Sequence, residues 1–260
     1  MNMKLTIIGA GNIGGAVAKG LLAAGAIKED DLAVVDVDLK KLDEYRKAYP
    51  GIQISTDAKE MAEKADIVIL AVKPWLVEPV LSGIADVITQ DKIFACIAAG
   101  IDFKFLNSIL QPGVCSFRVM PNTAMLIGES MTLISSQNAN SQQEQLILDL
   151  FNQLGKAVMI EEKMMGPATS VASCGIAYAL RYLRAASEGA VELGFRADVA
   201  HEIVAQTMKG AAELILKNHS HPEAEIDKVC TPGGWTIKGL NEMEAFGFSD
   251  AVIKGLKAND

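Results

Sequence analysis

The strongest constraint on this chain is the alternation, through its first 160 residues, of short apolar runs with helical stretches. Runs at 4–8, 32–36, 66–72, 92–98, 115–119, 131–135 and 156–160 are rich in Val and Ile, and most are continuously apolar. A strand with one face in water alternates polar and apolar residues, so continuous runs predict strands covered on both faces. Helical stretches between such runs predict crossovers rather than hairpins. The expected fold is therefore α/β, a doubly wound, mainly parallel Rossmann-type sheet over residues 1–161.

The pattern changes after residue 160. Residues 168–193 read as one long helix of small and apolar residues, with Ala168, Ala172, Gly175 and Ala179 recurring every three or four positions. A second helix is expected at 198–217, carrying Val199, Ile203, Met208, Ala212 and Ile215, and two shorter ones at 235–245 and 249–257. No strand pattern interrupts them, so residues 162–260 are expected to form an all-helical domain. Its long helices are too apolar for about 100 residues standing alone. Burial against a second copy removes the exposed patch, which predicts a homo-oligomer, at least a dimer, built through this domain.

Charge and composition exclude several function classes. Net charge is −8, from 24 Lys and Arg against 32 Asp and Glu, with no basic run able to track a phosphate backbone, so no nucleic-acid partner is expected. No segment reaches the roughly 20 apolar residues of a membrane span. The run Lys4–Ile8 leads straight into glycines without a signal peptide's longer apolar stretch and cleavage site. Cys96, Cys115, Cys174 and Cys230 are scattered and form no C-x-x-C pair. That usage predicts reduced thiols and a cytoplasmic setting. His219 and His221 have no partner cluster, so no metal site is expected.

Gly9-Ala10-Gly11-Asn12-Ile13-Gly14 follows the first expected strand and opens a helix. G-x-G-x-x-G is a weak signal alone, but strand before and helix after are the context its mechanism requires. Gly9 permits the tight turn, Gly11 lets the backbone approach a pyrophosphate, and Gly14 lets helix and strand pack closely. The phosphate charge then meets unpaired amides at a helix N-terminus. Asp36 lies 22 residues beyond Gly14, at the end of the second expected strand. There it either accepts from the adenosine ribose hydroxyls or simply faces water. A carboxylate at that point repels a 2′-phosphate, no Arg follows closely, and Asp38 adds negative charge, so the expected cofactor is NAD(P)H with NADH favoured over NADPH. Ala71-Val72-Lys73-Pro74 and Ala98-Ala99-Gly100 end the next two expected strands and should line the same groove. Lys73 can neutralise phosphate or stand solvated.

Two further stretches resemble a known family. Phe117-Arg-Val-Met-Pro-Asn-Thr123 runs from a strand end into a loop. Asp227-Lys-Val-Cys-Thr-Pro-Gly-Gly-Trp-Thr-Ile-Lys-Gly-Leu240 is followed by Glu244-Ala-Phe-Gly-Phe248. With A-V-K-P and the glycine loop, in this order over nearly the whole chain, they resemble pyrroline-5-carboxylate reductases. That family's C-terminal signature runs roughly S-P-G-G-T-T-I; here it reads Thr231-Pro-Gly-Gly-Trp-Thr-Ile237. The resemblance implies hydride transfer from a nicotinamide to the C=N bond of 1-pyrroline-5-carboxylate, giving L-proline. It implies Thr236 as the residue that hydrogen-bonds the substrate's ring nitrogen, with Val229, Gly233, Gly234 and Trp235 beside it. It also brings Asn122 toward the nicotinamide end and Glu162 near cofactor and substrate.

The residues themselves agree in part. Pro232-Gly233-Gly234 before a helix makes a turn whose amides suit a carboxylate. Taken alone, P-G-G-x-T reads first as a helix-start turn with a capping hydroxyl. Asn122 reads also as a turn residue satisfying local amides, and Glu162, between Glu161 and Lys163, as part of a solvated charge run. Two features depart from the family. Ala172-Ser-Cys-Gly-Ile-Ala-Tyr178 stands where relatives carry S-G-S-G-P-A-Y, and loss of that Pro predicts a more regular helix. Trp235 replaces a small residue. These departures leave open a reductase of another cyclic imine or keto acid, or a dinucleotide-binding regulator without catalysis.

Overall fold

A computed structural model describes residues 3–258 and divides the chain into two compact units, one ending at Ser173 and the other beginning at Cys174. The first unit runs β1 (Leu5–Ile8), α1 (Asn12–Ala23), β2 (Leu32–Val35), α2 (Leu39–Ala48), β3 (Gln53–Ser55), α3 (Ala58–Lys64), β4 (Ile67–Leu70), α4 (Val77–Ile84), β5 (Ile93–Cys96), α5 (Phe103–Asn107), β6 (Cys115–Met120), β7 (Ser130–Gln137), α6 (Ser141–Asn152), β8 (Gly155–Met159) and α7 (Met165–Ala168). The strands form one sheet in the order β3-β2-β1-β4-β5-β6-β7-β8. All neighbours are parallel except β6 and β7.

The seven apolar runs all become strands, and in β1, β2, β4 and β5 every residue is buried because both sheet faces are covered. Leu5, Ile7, Val34 and Ile69 point to the face covered by Val17 and Leu21 of α1 and by Ile147 and Phe151 of α6. Ile8, Val35, Val68 and Leu70 point to the other, against Met61 of α3 and Leu81 of α4. Successive residues go to opposite faces, so a strand apolar throughout loses water on both sides. Thr6 is the exception in β1, and its hydroxyl donates to the Met61 carbonyl at 3.1 Å. β3 is an eighth strand that the pattern did not reveal; Gln-Ile-Ser is three residues long, half polar in character and at the sheet edge.

In the second unit lie α8 (Gly175–Glu192), α9 (Ala197–Asn218), α10 (Pro222–Val229), α11 (Trp235–Ala245) and α12 (Phe248–Lys257). Among the described residues it holds no strand, in line with the all-helical expectation. The single long helix expected at 168–193 is instead interrupted. A π turn at Thr169–Ser173 separates α7 from α8, while Ile176, which stands in place of the family's Pro, lies within α8 and that helix runs unbroken to Glu192. Side chains hold this stretch at both ends. The Asn122 side-chain amide donates to the Ala172 carbonyl at 3.2 Å, and the Thr169 hydroxyl donates to the Met165 carbonyl at 2.8 Å.

α8 to α12 have almost no interior of their own. Of their described residues only Ser187 and Ala200 are buried, while Leu180, Leu216 and Ile253 are each more than half exposed. Tyr182 and Phe248 meet edge-on at 6.1 Å, and the Tyr178 hydroxyl donates to the Gly255 carbonyl at 3.3 Å, which ties α8 to α12.

Candidate active site

β1 sits where the strand order reverses, with β2 on one side and β4 on the other. In doubly wound sheets the crevice outside the strand ends at this point takes the ligand. Gly9 follows β1 with φ +107°, a conformation that favours glycine, and its amide donates to the Val35 carbonyl at 2.7 Å. A Cβ on Gly9 would lie 2.6 Å from the Ala71 carbonyl oxygen. One on Gly14 would overlap the Gly9 carbonyl oxygen and lie 2.9 Å from the Ala71 Cβ. Gly11 differs: a Cβ there meets nothing within 4 Å. Two glycines thus keep the loop tight, and the third faces open space at the N-cap of α1. That helix start has no side-chain cap and no acidic residue in its first turn. Asn12 is exposed, Ile13 half-buried and Gly14 buried. A dinucleotide's pyrophosphate fits such a cradle, with bare amides and no side chain in the way.

Asp36, just beyond β2, leans toward this loop. One carboxylate oxygen accepts from the Ala10 amide at 2.8 Å and the other from the Asp38 amide at 2.9 Å. Its side chain is only 9% exposed, and the Lys41 ammonium stands 3.2 Å away. Burial alone pushes this carboxyl up, but the Asp38 and Ala10 amides and Lys41 together outweigh it and hold the pKa below the ordinary value. Beyond β4, Ala71 and Val72 are half-buried, with the Val72 side chain 3.2 Å from a Cβ placed on Gly9. Lys73 and Pro74 are exposed, and the Lys73 ammonium forms no ion pair among the described residues. Beyond β5, Ala98 is half-buried, while Ala99 and Gly100 are exposed, Gly100 with φ +77°.

Asn122 and Glu162 are more firmly engaged than the sequence suggests. Asn122, 6% exposed, accepts from the Ala124 amide at 3.0 Å while its side-chain amide holds Ala172. It therefore braces the loop after β6 against the π turn. Glu162 separates from its charged neighbours. Glu161 and Lys163 pair with each other in solvent, whereas Glu162 accepts from the Phe103 amide at 2.8 Å and from the Arg118 guanidinium at 2.9 Å. Arg118, 14% exposed, was not singled out from the sequence, although a lone cation in an apolar strand is a signal. A groove of about 590 Å³ opens beside Glu162, lined by Ser135, Gln137, Glu144 and Met159 among others, and no glycine-loop residue lines it.

In the helical unit, Val229 ends α10 at 60% exposure, and Gly233 has φ +70° in the turn that follows. The Gly234 amide donates back to the Thr231 carbonyl at 2.9 Å, and a Cβ on Gly234 would collide with Thr231. Gly234 is the N-cap of α11 and offers no side-chain cap, so the first α11 amides stand open. Thr236 lies in the first turn, exposed, with no hydroxyl hydrogen bond among the described residues. Trp235 beside it is 92% exposed. α10 itself was missed in the sequence, although Pro222 at its first position, with acidic residues following, is a helix-start signal.

A family model described as pyrroline-5-carboxylate reductase dimerisation matches residues 162–259. Another, described as NADP oxidoreductase, coenzyme F420-dependent, matches residues 4–100. Pyrroline-5-carboxylate reductase 2 of Dictyostelium discoideum is 39% identical over 270 residues, covering 98% of this chain and 90% of that protein. Pyrroline-5-carboxylate reductase of Escherichia coli (strain K12) is 32% identical over 257 residues, covering 98% and 95%. The solved Plasmodium falciparum pyrroline carboxylate reductase with NADP bound has a TM-score of 0.88 at 29% identity, covering 99% of this chain and 95% of that one. With relatedness along almost its entire length, this chain belongs to the pyrroline-5-carboxylate reductase family.

Proposed function

We propose that this protein reduces 1-pyrroline-5-carboxylate to L-proline at the expense of a reduced nicotinamide dinucleotide. The observation that carries the reading is end-to-end relatedness to enzymes of that name, joined to two bare helix starts, at α1 and α11, each able to hold an anion. A bound nicotinamide supplies the hydride. The hydride goes to the carbon of the C=N bond and a proton to the nitrogen, which leaves a saturated ring amine.

Each residue has a role in this scheme. The α1 amides and the Gly9–Gly14 loop hold the pyrophosphate, with Ala71–Pro74 and Ala98–Gly100 as further walls. The amides of Gly233 to Thr236 hold the substrate carboxylate, with Val229 and Trp235 beside it. The Thr236 hydroxyl donates to the ring nitrogen as charge develops there. Orientation does most of the work, and no strong base is called for. Asn122 and Glu162 act from behind, bracing the loop after β6 and the start of α5. Asp36 favours NADH, because its buried carboxylate repels a 2′-phosphate.

The chain works as a homo-oligomer, at least a dimer, through a helical domain assigned to 162–260, which follows in sequence a nucleotide domain assigned to 1–161. The lack of an interior in α8 to α12 supports this pairing. A reducing, cytoplasmic setting is part of this reading, on the scattered cysteine usage, with Cys96 and Cys115 buried in the sheet as thiols. No helix among the described residues is long and apolar enough to cross a membrane.

The test is dinucleotide oxidation with pyrroline-5-carboxylate, run with NADH and with NADPH, and repeated with other cyclic imines. Faster turnover of pyrroline-5-carboxylate than of any other imine is expected. A preferred different imine, or binding without turnover, refutes the reading.

A further inference from the structure

A cation stands at the ribose-reading corner. Lys41, in the first turn of α2, brings its ammonium to 3.2 Å and 3.4 Å from the two oxygens of Asp36. The corner that Asp36 would make repulsive to a 2′-phosphate therefore carries a neutral pair. Two facts show that Lys41 can leave this pair without disturbing the corner. First, Asp36 is held independently by the Ala10 and Asp38 amides. Second, the Lys41 side chain is 42% exposed against 9% for Asp36, and it has no other ionic partner among the described residues. A lysine on a four-carbon stem is a point charge that can turn toward a new anion.

We propose that Lys41 is a specificity-determining residue that lets this chain accept NADPH as well as NADH. The inference rests on the dinucleotide reading given above. With NADH, Lys41 stays on Asp36, and the carboxylate meets the ribose hydroxyls. With NADPH, its ammonium turns to the 2′-phosphate, which limits the repulsion by Asp36. Asp36 alone thus overstates the preference for NADH.

Dissociation constants of NADH and NADPH, followed by nicotinamide fluorescence without substrate, test this in the full-length protein. Lys41→Met should weaken NADPH by about 10-fold, the scale of one lost charge-assisted hydrogen bond. NADH should stay within about twofold, since the Asp36 amide bonds remain. Lys41→Arg should restore NADPH binding, and the wild-type advantage over Lys41→Met should shrink as salt is raised. An NADPH-to-NADH affinity ratio equal in Lys41→Met and wild type overturns the proposal. Parallel weakening of both dinucleotides also overturns it, because that marks a general role in shaping the corner. Failure of the wild-type protein to bind either dinucleotide is a separate outcome that strikes the function reading itself.

Discussion

Adding one methyl group at Gly14 or at Gly11 should give opposite phenotypes. In Gly14→Ala the new carbon lies 2.9 Å from the Ala71 Cβ, 3.1 Å from the Gly9 carbonyl carbon, and on top of the Gly9 oxygen. Carbon atoms pack at about 3.5–4.0 Å, so the loop must retreat by at least ~0.6 Å. Most of these neighbours are backbone, and none is the far end of a flexible side chain. Overpacking of this kind costs about 1–3 kcal/mol. For a unit of this size, ~2 kcal/mol lowers Tm by roughly 4–8 °C. Gly11→Ala meets nothing within 4 Å, and its φ of −72° suits any residue. Its stability cost is that of a poorer N-cap, under about 1 kcal/mol. Its methyl, however, occupies the space through which a pyrophosphate reaches the α1 amides. Loss of that approach should weaken NADH by about 10-fold or more, or 1.4 kcal/mol. Thermal melts of the dinucleotide-free protein, paired with NADH titrations, separate the two effects. A Gly11→Ala protein that binds NADH like wild type refutes the cradle, and an unchanged melt for Gly14→Ala refutes the packing argument.

Thr236→Ala should lower turnover about 10-fold or more, the scale of a positioned proton donor, with NADH affinity nearly intact; stopped-flow and equilibrium titration separate the two. Equal turnover removes Thr236 from the chemistry. Asp36→Asn should destabilise the dinucleotide-free protein by about 1 kcal/mol near neutral pH, because one amide oxygen replaces two charged acceptors. The folded-state pKa of Asp36 is lowered, so its contribution is complete above the unfolded carboxylate value, about 4, and is lost as pH falls through the folded value. Urea midpoints for wild type and variant should therefore converge in acid, and a gap that widens there contradicts the assigned hydrogen bonds.

Much of this architecture was legible because burial on both faces leaves a mark in the chain. Ile67–Leu70 and Leu32–Val35 read as strands without reference to anything distant, since every position in them is buried. Gln53–Ser55 did not, because an edge strand of three residues carries neither length nor periodicity. The glycine loop was legible for a related reason: the backbone itself demands glycine at Gly9 and Gly14. The interruption of the long helix over 168–193 is not legible in the chain, because its composition favours a helix throughout. At the π turn that interrupts it, the Ala172 carbonyl is held by a side chain from residue 122, fifty positions upstream.

The chain on its own determined a parallel, helix-covered sheet, a loop shaped for a pyrophosphate, a glycine turn before a helix, and helices too apolar to stand alone. These are properties of neighbours along the backbone: periodicity, turn chemistry and continuous hydrophobicity. Tertiary structure alone decided how the polar side chains are spent. It put Lys41 on Asp36, Arg118 and the Phe103 amide on Glu162, and Asn122 on Ala172. A charge in a sequence has no partner until the fold supplies one. Glu162, 44 residues from its cation, shows why, since it left the solvent-exposed pair formed by its own neighbours on either side.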